Sequence, residues 1–285
     1  MSPAVRCAVL GDPVAHSLSP VLHRTAYELL GLDWTYDAVR VPSGGLGDFL
    51  AGVGAGVGAG VGAGGWRGLS LTMPLKREVL PLVAERSADV DLAGGANTVV
   101  VDGGRLRLDN TDLPGAAAAV RERWDGEVEV VTILGAGATA ASTGLALCDL
   151  GAREVRLLAR SPERAAETAR AVAAHASGPR VTVGGLDDDP VHGDVVVSTI
   201  PVAAQTPSLV RRCEAVPVTF EVLYDPWPTP LAAAAVAEGR VLVGGLDLLV
   251  HQAVLQVEIF TGRPGPLAAM RAAGQAALDA RVALP

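Results

Sequence analysis

The chain has 285 residues, long for a single compact core at roughly 100–200 residues per domain, so two domains are expected. Hydrophobic residues make up 49% and charged residues 19%, a balance that suits a globular protein and excludes general disorder. The formal net charge of −8 gives no support for nucleic-acid or anionic-membrane partners, and a small anionic substrate would need a local site that overcomes this field.

Arg6 to Leu10 reads as a short apolar strand closed by Gly11-Asp12-Pro13. Ser19 followed by Pro20 predicts an N-cap with proline in the first helical turn, and Gly31 stops that helix. Thr35 to Val41 is a second strand. From Gly52 to Gly65 every even position is glycine, a low-complexity tract whose backbone is entropically costly to order; it reads as a mobile insertion, not a phosphate loop. Leu69 to Thr72 is a further strand and Lys76 to Glu85 a helix. Thr98–Val101 and Arg105–Leu108 flank Asp102-Gly103-Gly104 as a hairpin, and a helix follows from about Pro114 to Trp124.

After Gly126 the rhythm changes to alternating strand and helix. Strands are predicted at Glu129–Leu134, Glu154–Ala159, Val181–Val183, Val195–Ser198, Val218–Val222 and Val241–Val243, with alanine-rich helices such as Glu163–Ala176 between them. That alternation implies a parallel sheet covered on both faces. Two last helices, about Leu248–Thr261 and Pro266–Ala280, have no strand after them and are free to pack on the first domain.

Gly135-x-Gly137-x-x-Ala140 follows the first of these strands and opens a helix. The first glycine allows the tight turn, the second lets backbone approach a pyrophosphate, and the small third residue permits close helix–strand packing. The next strand ends in Arg160-Ser161, with Arg164 a helical turn further, where an NAD site usually carries Asp or Glu. Guanidinium groups and a hydroxyl suit a 2′-phosphate, so NADP is the expected cofactor. Ala138, Thr139, Thr199, Val222 and Gly245 are counted with this cofactor site.

The first domain holds four polar clusters: Ser17-Leu18-Ser19, Ser70 through Lys76, Asn97-Thr98, and Asn110-Thr111-Asp112. Singly, each has an ordinary explanation as a cap, a turn or a surface amine. Together they resemble the shikimate dehydrogenase family. GxPxxxSxSP appears as Gly11 to Pro20, NVTxPxK as Ser70 to Lys76, GAxNT as Gly95 to Thr98, and GxNTDxxG as Asp109 to Gly115. YxPxxTPL appears as Tyr224 to Leu231, and the closing motif runs from Gly244-Gly245 to His251-Gln252-Ala253.

The resemblance implies an NADP-linked enzyme that interconverts 3-dehydroshikimate and shikimate on the way to aromatic amino acids. It implies that Ser17 and Ser19, helped by Tyr224, bind the substrate carboxylate. Ser70, Thr72, Asn97, Asp112 and Gln252 would hold the ring hydroxyls and the reacting oxygen. A site that pairs each hydroxyl rejects analogues lacking one, because its buried partners are left unsatisfied. Lys76 would give the carbonyl oxygen its proton as hydride arrives, oriented by Asp112. Four positions depart from the family pattern: Ser70 stands for asparagine, Asp109 for glycine, Ala159 for the asparagine of the cofactor signature, and Leu248 for methionine.

The expected architecture is α/β with two domains. Residues 1–112 and 245–285 form the substrate-binding domain, residues 113–244 the Rossmann domain, and the active site lies in the cleft. His16, His23 and His251 have no metal-ligand spacing and read as structural. Cys7, Cys148 and Cys213 lack a CxxC pair and read as reduced thiols. The N-terminus lacks a secretory apolar run and no stretch reads as a membrane span, so the cytoplasm is the expected compartment. The chain would act as a monomer or homodimer on a small-molecule substrate. Two rivals remain: an NAD-linked quinate/shikimate dehydrogenase, and a non-catalytic NADP-binding sensor of the same fold.

Overall fold

The computed structural model describes residues 5–54 and 65–282. The chain divides into two compact units. The first comprises Met1–Asp91, Gly95–Thr111 and Leu249–Pro285, and the second Leu92–Gly94 and Asp112–Leu248.

In the first unit the elements are β1 (Val5–Gly11), α1 (Ser19–Leu29), β2 (Trp34–Arg40), α2 (Leu46–Gly54), β3 (Trp66–Leu71), α3 (Leu75–Glu78), β4 (Glu85–Arg86), the start of α4 (Ala88–Ala93), β5 (Thr98–Asp102) and β6 (Arg105–Asp109). The sheet runs β2-β1-β3-β5-β6-β4. β1 is parallel to both neighbours, β3 is antiparallel to β5, and the predicted β5–β6 hairpin is present. Its turn is made by Gly103 and Gly104, both at positive φ. One face buries Leu10, Leu69, Val99 and Leu108 with Leu46, Leu75 and Val79. On the glycine tract, α2 extends as far as residue 54, and positions 55–64 lie outside the described residues.

Two last helices, α10 (Gly245–Thr261) and α11 (Leu267–Val282), close the chain. α11 packs on α1, and α10 reaches β3. A Cβ at Gly68 would lie 2.3 Å from the Phe260 ring, so only glycine lets this aromatic ring touch the strand. Beside it, a register shift in β3 frees Arg67, whose guanidinium donates to the carbonyls of Phe260 (2.9 Å) and Val101 (3.0 Å).

Two local expectations are corrected. Ser19 is the first residue of α1, Leu18 holds the cap position, and no side chain caps the helix. The helix expected over Lys76–Glu85 stops after one turn and gives way to a 3₁₀ turn at Leu80–Leu82. Pro81 accounts for this, since it lacks the N–H and its ring crowds the preceding turn; Glu85 goes to β4 instead.

The second unit holds α5 (Asp112–Arg123), β7 (Val130–Leu134), α6 (Ala138–Asp149), β8 (Glu154–Ala159), α7 (Pro162–Ala173), β9 (Arg180–Gly185), β10 (Val195–Ser198), α8 (Pro207–Arg212), β11 (Val218–Glu221), α9 (Pro230–Ala237) and β12 (Val241–Val243). Every pairing in its sheet, β12-β11-β10-β7-β8-β9, is parallel. The strands are near-continuous Val/Ile/Leu runs because helices cover them: Val131, Ile133, Val155, Val195 and Phe220 pack with Ala119, Ala140 and Leu145. Strand order reverses between β7 and β10, the switch point where open α/β sheets take their ligands. α8 and α9 stand where helices were expected between the last strands, but both are short. Both open on Thr-Pro, with Thr206 and Thr229 hydroxyls accepting from the N–H groups of Leu209 and Ala232 at 3.2 Å.

Candidate functional site

In the second unit the glycine turn joins β7 to α6 beside the switch point. Gly135 has φ +112°, and a Cβ there would lie 2.2 Å from Thr199 Oγ1, so no other residue fits. Thr199 is fixed in turn by its hydroxyl and N–H, which both donate to Leu134 O at 2.9 Å. Two expected cofactor residues therefore meet directly. Gly137 is in extended backbone at the cap of α6, and the space where its Cβ would point is open. Ala138 and Thr139, as the first residues of α6, carry N–H groups that have no intrahelical acceptor. Ala140 is buried against the sheet.

At the end of β8, Arg160 is exposed. Ser161 donates to Glu163 Oε2 at 2.6 Å, and this bond, with the backbone N–H of Glu163 itself, holds the Glu163 carboxyl below its ordinary value. Glu163 is thereby tied to Ser161, one of the expected cofactor residues. Arg164 lies on α7, and its side chain is outside the described residues. Gly245 opens α10 against the end of β11: a Cβ there would lie 2.7 Å from Val222 O and 2.4 Å from Leu223 O. The donors, the open space over Gly137 and the exposed Arg160 fit a dinucleotide carrying a 2′-phosphate.

Glu221, at the end of β11, is fully buried. Burial pushes its carboxyl up, opposed by hydrogen bonds from Leu223 N (3.0 Å), Thr229 Oγ1 (2.9 Å) and Gln205 Nε2 (2.7 Å). It ties together the loops after β10 and β11, and was not singled out from sequence.

The polar residues of the first unit form one buried set. Asn97 Nδ2 donates to Thr111 Oγ1 (2.9 Å) and Gln252 Oε1 (3.1 Å). Its Oδ1 accepts from Thr98 Oγ1 (2.8 Å) and Thr111 N (2.9 Å). Ser70 Oγ donates to Gln256 Oε1 (2.7 Å) and accepts from the Tyr36 hydroxyl (2.5 Å). Ser19 hydrogen-bonds Tyr36 in turn, and its N–H donates to Ser17 Oγ at 3.2 Å. Lys76 is half-buried on α3, where its carbonyl accepts from Ala96 N at 2.8 Å and Leu71 N donates to Asn97 O at 2.7 Å. Half-buried Thr72 donates through its N–H to Leu10 O. The structure thus brings Ser17, Ser19, Ser70, Asn97 and Gln252 into one network. Asp112, the buried first residue of α5, and half-buried Tyr224 belong to the second unit.

Sequence reasoning missed Tyr36, Gln256 and Glu78. Tyr36 was available as an inward position of an alternating strand, and Gln256 as the helical i+4 neighbour of Gln252. Glu78 carried no signal. Its carboxylate accepts from Gly44 N at 3.0 Å and Leu46 N at 3.3 Å, anchoring α3 to the start of α2.

Among the histidines, His23 is wholly buried and stacks on Tyr36 with ring centroids 4.0 Å apart. Its Nδ1–H donates to Ser19 O at 2.9 Å, since a carbonyl only accepts. Burial lowers its pKa to about 4. Burial raises the thiols of Cys7 and Cys148 to about 12 and of Cys213 to about 11, so none is a thiolate nucleophile at neutral pH. Among the described residues no cluster of three or more His, Cys, Asp or Glu could hold a metal ion, and no helix is long and apolar enough to cross a membrane.

Sheet order, the strained glycine turn and the cationic end of β8 define a nicotinamide-dinucleotide oxidoreductase. The profile of the shikimate dehydrogenase substrate binding domain matches residues 9–99, and that of the shikimate 5'-dehydrogenase C-terminal domain matches residues 245–273. Shikimate dehydrogenase (NADP(+)) of Desulfitobacterium hafniense is 32% identical over 93% of this chain and 96% of its own. The crystal structure of Mycobacterium tuberculosis shikimate dehydrogenase superposes with a TM-score of 0.84 at 36% identity, covering 95% of this chain and 99% of that one. The Thermus thermophilus enzyme, solved with NADP(H) and shikimate, gives 0.81 at 29% identity over 96% and 99%. The chain belongs to the shikimate dehydrogenase family.

Proposed function

We propose that the chain catalyses the reversible, NADP-dependent interconversion of 3-dehydroshikimate and shikimate, a step of aromatic amino acid biosynthesis. The observation that carries this reading is the buried network of Asn97, Thr111 and Gln252 in the first unit. A set of neutral donors and acceptors with few bonds to spare is the chemistry needed to count hydroxyl groups on a polyol ring. The relatives' printed name and the cofactor and substrate of the Thermus thermophilus complex support it.

The Ala138 and Thr139 N–H groups and the dipole of α6 would hold the pyrophosphate, with Arg160, Ser161 and Arg164 at the 2′-phosphate and Thr199, Val222 and Gly245 beside the remainder. Bound there, the nicotinamide supplies the hydride acceptor and donor. Lys76 takes the proton from the substrate hydroxyl during oxidation and returns it to the carbonyl oxygen during reduction, with Asp112 orienting the ammonium. Ser17, Ser19 and Tyr224 bind the ring carboxylate by neutral donors, which is how an anion is held on a chain of net charge −8. Thr72, Asn97 and Gln252 fix the ring. We place this chain in the cytoplasm as a monomer or homodimer.

The test is a panel of shikimate and quinate with NADP and NAD, followed at the absorbance band of the reduced cofactor. Shikimate with NADP should give the highest kcat/KM. Faster turnover of quinate with NAD would support the quinate-linked alternative, and no turnover of any pair would leave a dinucleotide-binding sensor.

A further inference from the structure

The first unit's network has a direction, fixed by groups that can only accept. Gln256 Nε2 lies 3.1 Å from the Asn97 carbonyl, so that end of the amide must be the donor, and Oε1 must face Ser70. Ser70 therefore gives its single proton to Gln256 Oε1 at 2.7 Å. Having no second proton, it accepts from Tyr36 at 2.5 Å, and Tyr36 accepts from Ser19. Downstream, Gln256 Nε2 donates to Thr98 Oγ1 at 2.9 Å, and Thr98 donates to Asn97 Oδ1 at 2.8 Å. One chain of hydrogen bonds, each with a defined donor, runs from Tyr36 to Asn97.

On this basis, and resting on the reading given above, we propose that Ser70 is a positioning residue and not a substrate ligand. With Tyr36 and Gln256 it locks α10 to β3 and so sets where Gln252 and Asn97 present themselves to the ring hydroxyls. Three observations carry this. The Ser70 hydroxyl is used as donor and as acceptor inside the protein. Its residue is only 5% exposed. Gln256 is one helical turn beyond Gln252 on α10, so a shift of one moves the other.

The test is a double-mutant cycle on the full chain. Ser70→Ala and Gln256→Leu should each raise KM for shikimate roughly five- to tenfold, the range set by one buried hydrogen bond. KM for NADP, kcat and its pH profile should stay within about twofold. The double variant should be no worse than either single one, because both remove the same bridge. Tyr36→Phe, which deletes one oxygen, should show the same non-additivity with Ser70→Ala and stands in if Gln256→Leu does not fold. Additive effects on KM would overturn the proposal by placing Ser70 on the substrate, and so would an unchanged KM in the single variants. If the unsubstituted protein does not oxidise shikimate, the functional reading falls and the proposal with it; an active parent with additive variants overturns the positioning role alone.

Discussion

Asn97 donates to Gln252 across 3.1 Å, and neither amide is free to turn over. Oδ1 of Asn97 receives the Thr111 N–H at 2.9 Å, and Nε2 of Gln252 donates to the Leu249 carbonyl at 2.9 Å. Replacing Asn97 with alanine leaves the Thr111 N–H and Gln252 Oε1 buried without this partner. The expected cost is about 2–3 kcal/mol of unfolding free energy, measurable by urea denaturation. Activity on shikimate should fall further than stability alone accounts for under conditions where the variant is fully folded.

Lys76 is half-buried on a single helical turn that also carries Glu78, which holds the start of α2. Lys76→Met should therefore fold normally while losing about 10²–10⁴-fold in kcat, the usual range for a general acid–base group. Equilibrium binding of shikimate, followed by calorimetry, should persist. Turnover at the parental rate would refute the assignment.

Glu163 takes the Ser161 hydroxyl and so places a carboxylate beside one of the proposed 2′-phosphate residues. Glu163→Gln should lower KM for NADP severalfold by removing like-charge repulsion and freeing Ser161. Arg160→Ala should act oppositely, raising KM for NADP more than tenfold with little effect on NAD. Initial rates with both cofactors decide each case.

His23 gives acid lability a defined window. Its folded pKa is lowered to about 4 by burial, against about 6.5 unfolded. Above the unfolded value both states are neutral and its contribution is fully present. As pH falls from about 6.5 to about 4 the unfolded chain binds the proton and the folded chain does not, so stability falls by about 3 kcal/mol in all. Denaturation curves between pH 7 and 4 should show this slope for the parent and a flatter one for His23→Gln.

Much of the fold was legible because the signals were local and periodic. β8, β10 and β12 fall where the Val/Leu runs placed them, and the turn at Gly103-Gly104 follows from residues that tolerate positive φ. The error at α3 has the same origin in reverse: helical periodicity over Lys76–Glu85 concealed the veto of Pro81. Helices between the last strands followed from the alternation, but the bounds of α8 and α9 did not, because their signal was the Thr-Pro cap and not an apolar stripe. Individual site residues were legible as motifs, while their connections were not. Nothing near Ser70 in the chain announces that Gln256 will meet its hydroxyl, and the Tyr36 bridge exists only once β1 has placed β2 and β3 on either side of itself.

The first unit takes its last two helices from residues 249–285, and these supply Gln252, Gln256 and Phe260. During synthesis, β3 and β5 leave the ribosome long before the side chains that complete them, with Gly68 uncovered and Ser70 lacking its amide acceptor. The intervening segment 112–248 has its own core and emerges whole in the interval. The enclosing unit must therefore wait for the segment after residue 248 to reach its native state. A nonsense mutation after residue 248 would spare the segment beneath it yet leave the earlier half of the chain permanently unfinished, a ready target for proteases and chaperones.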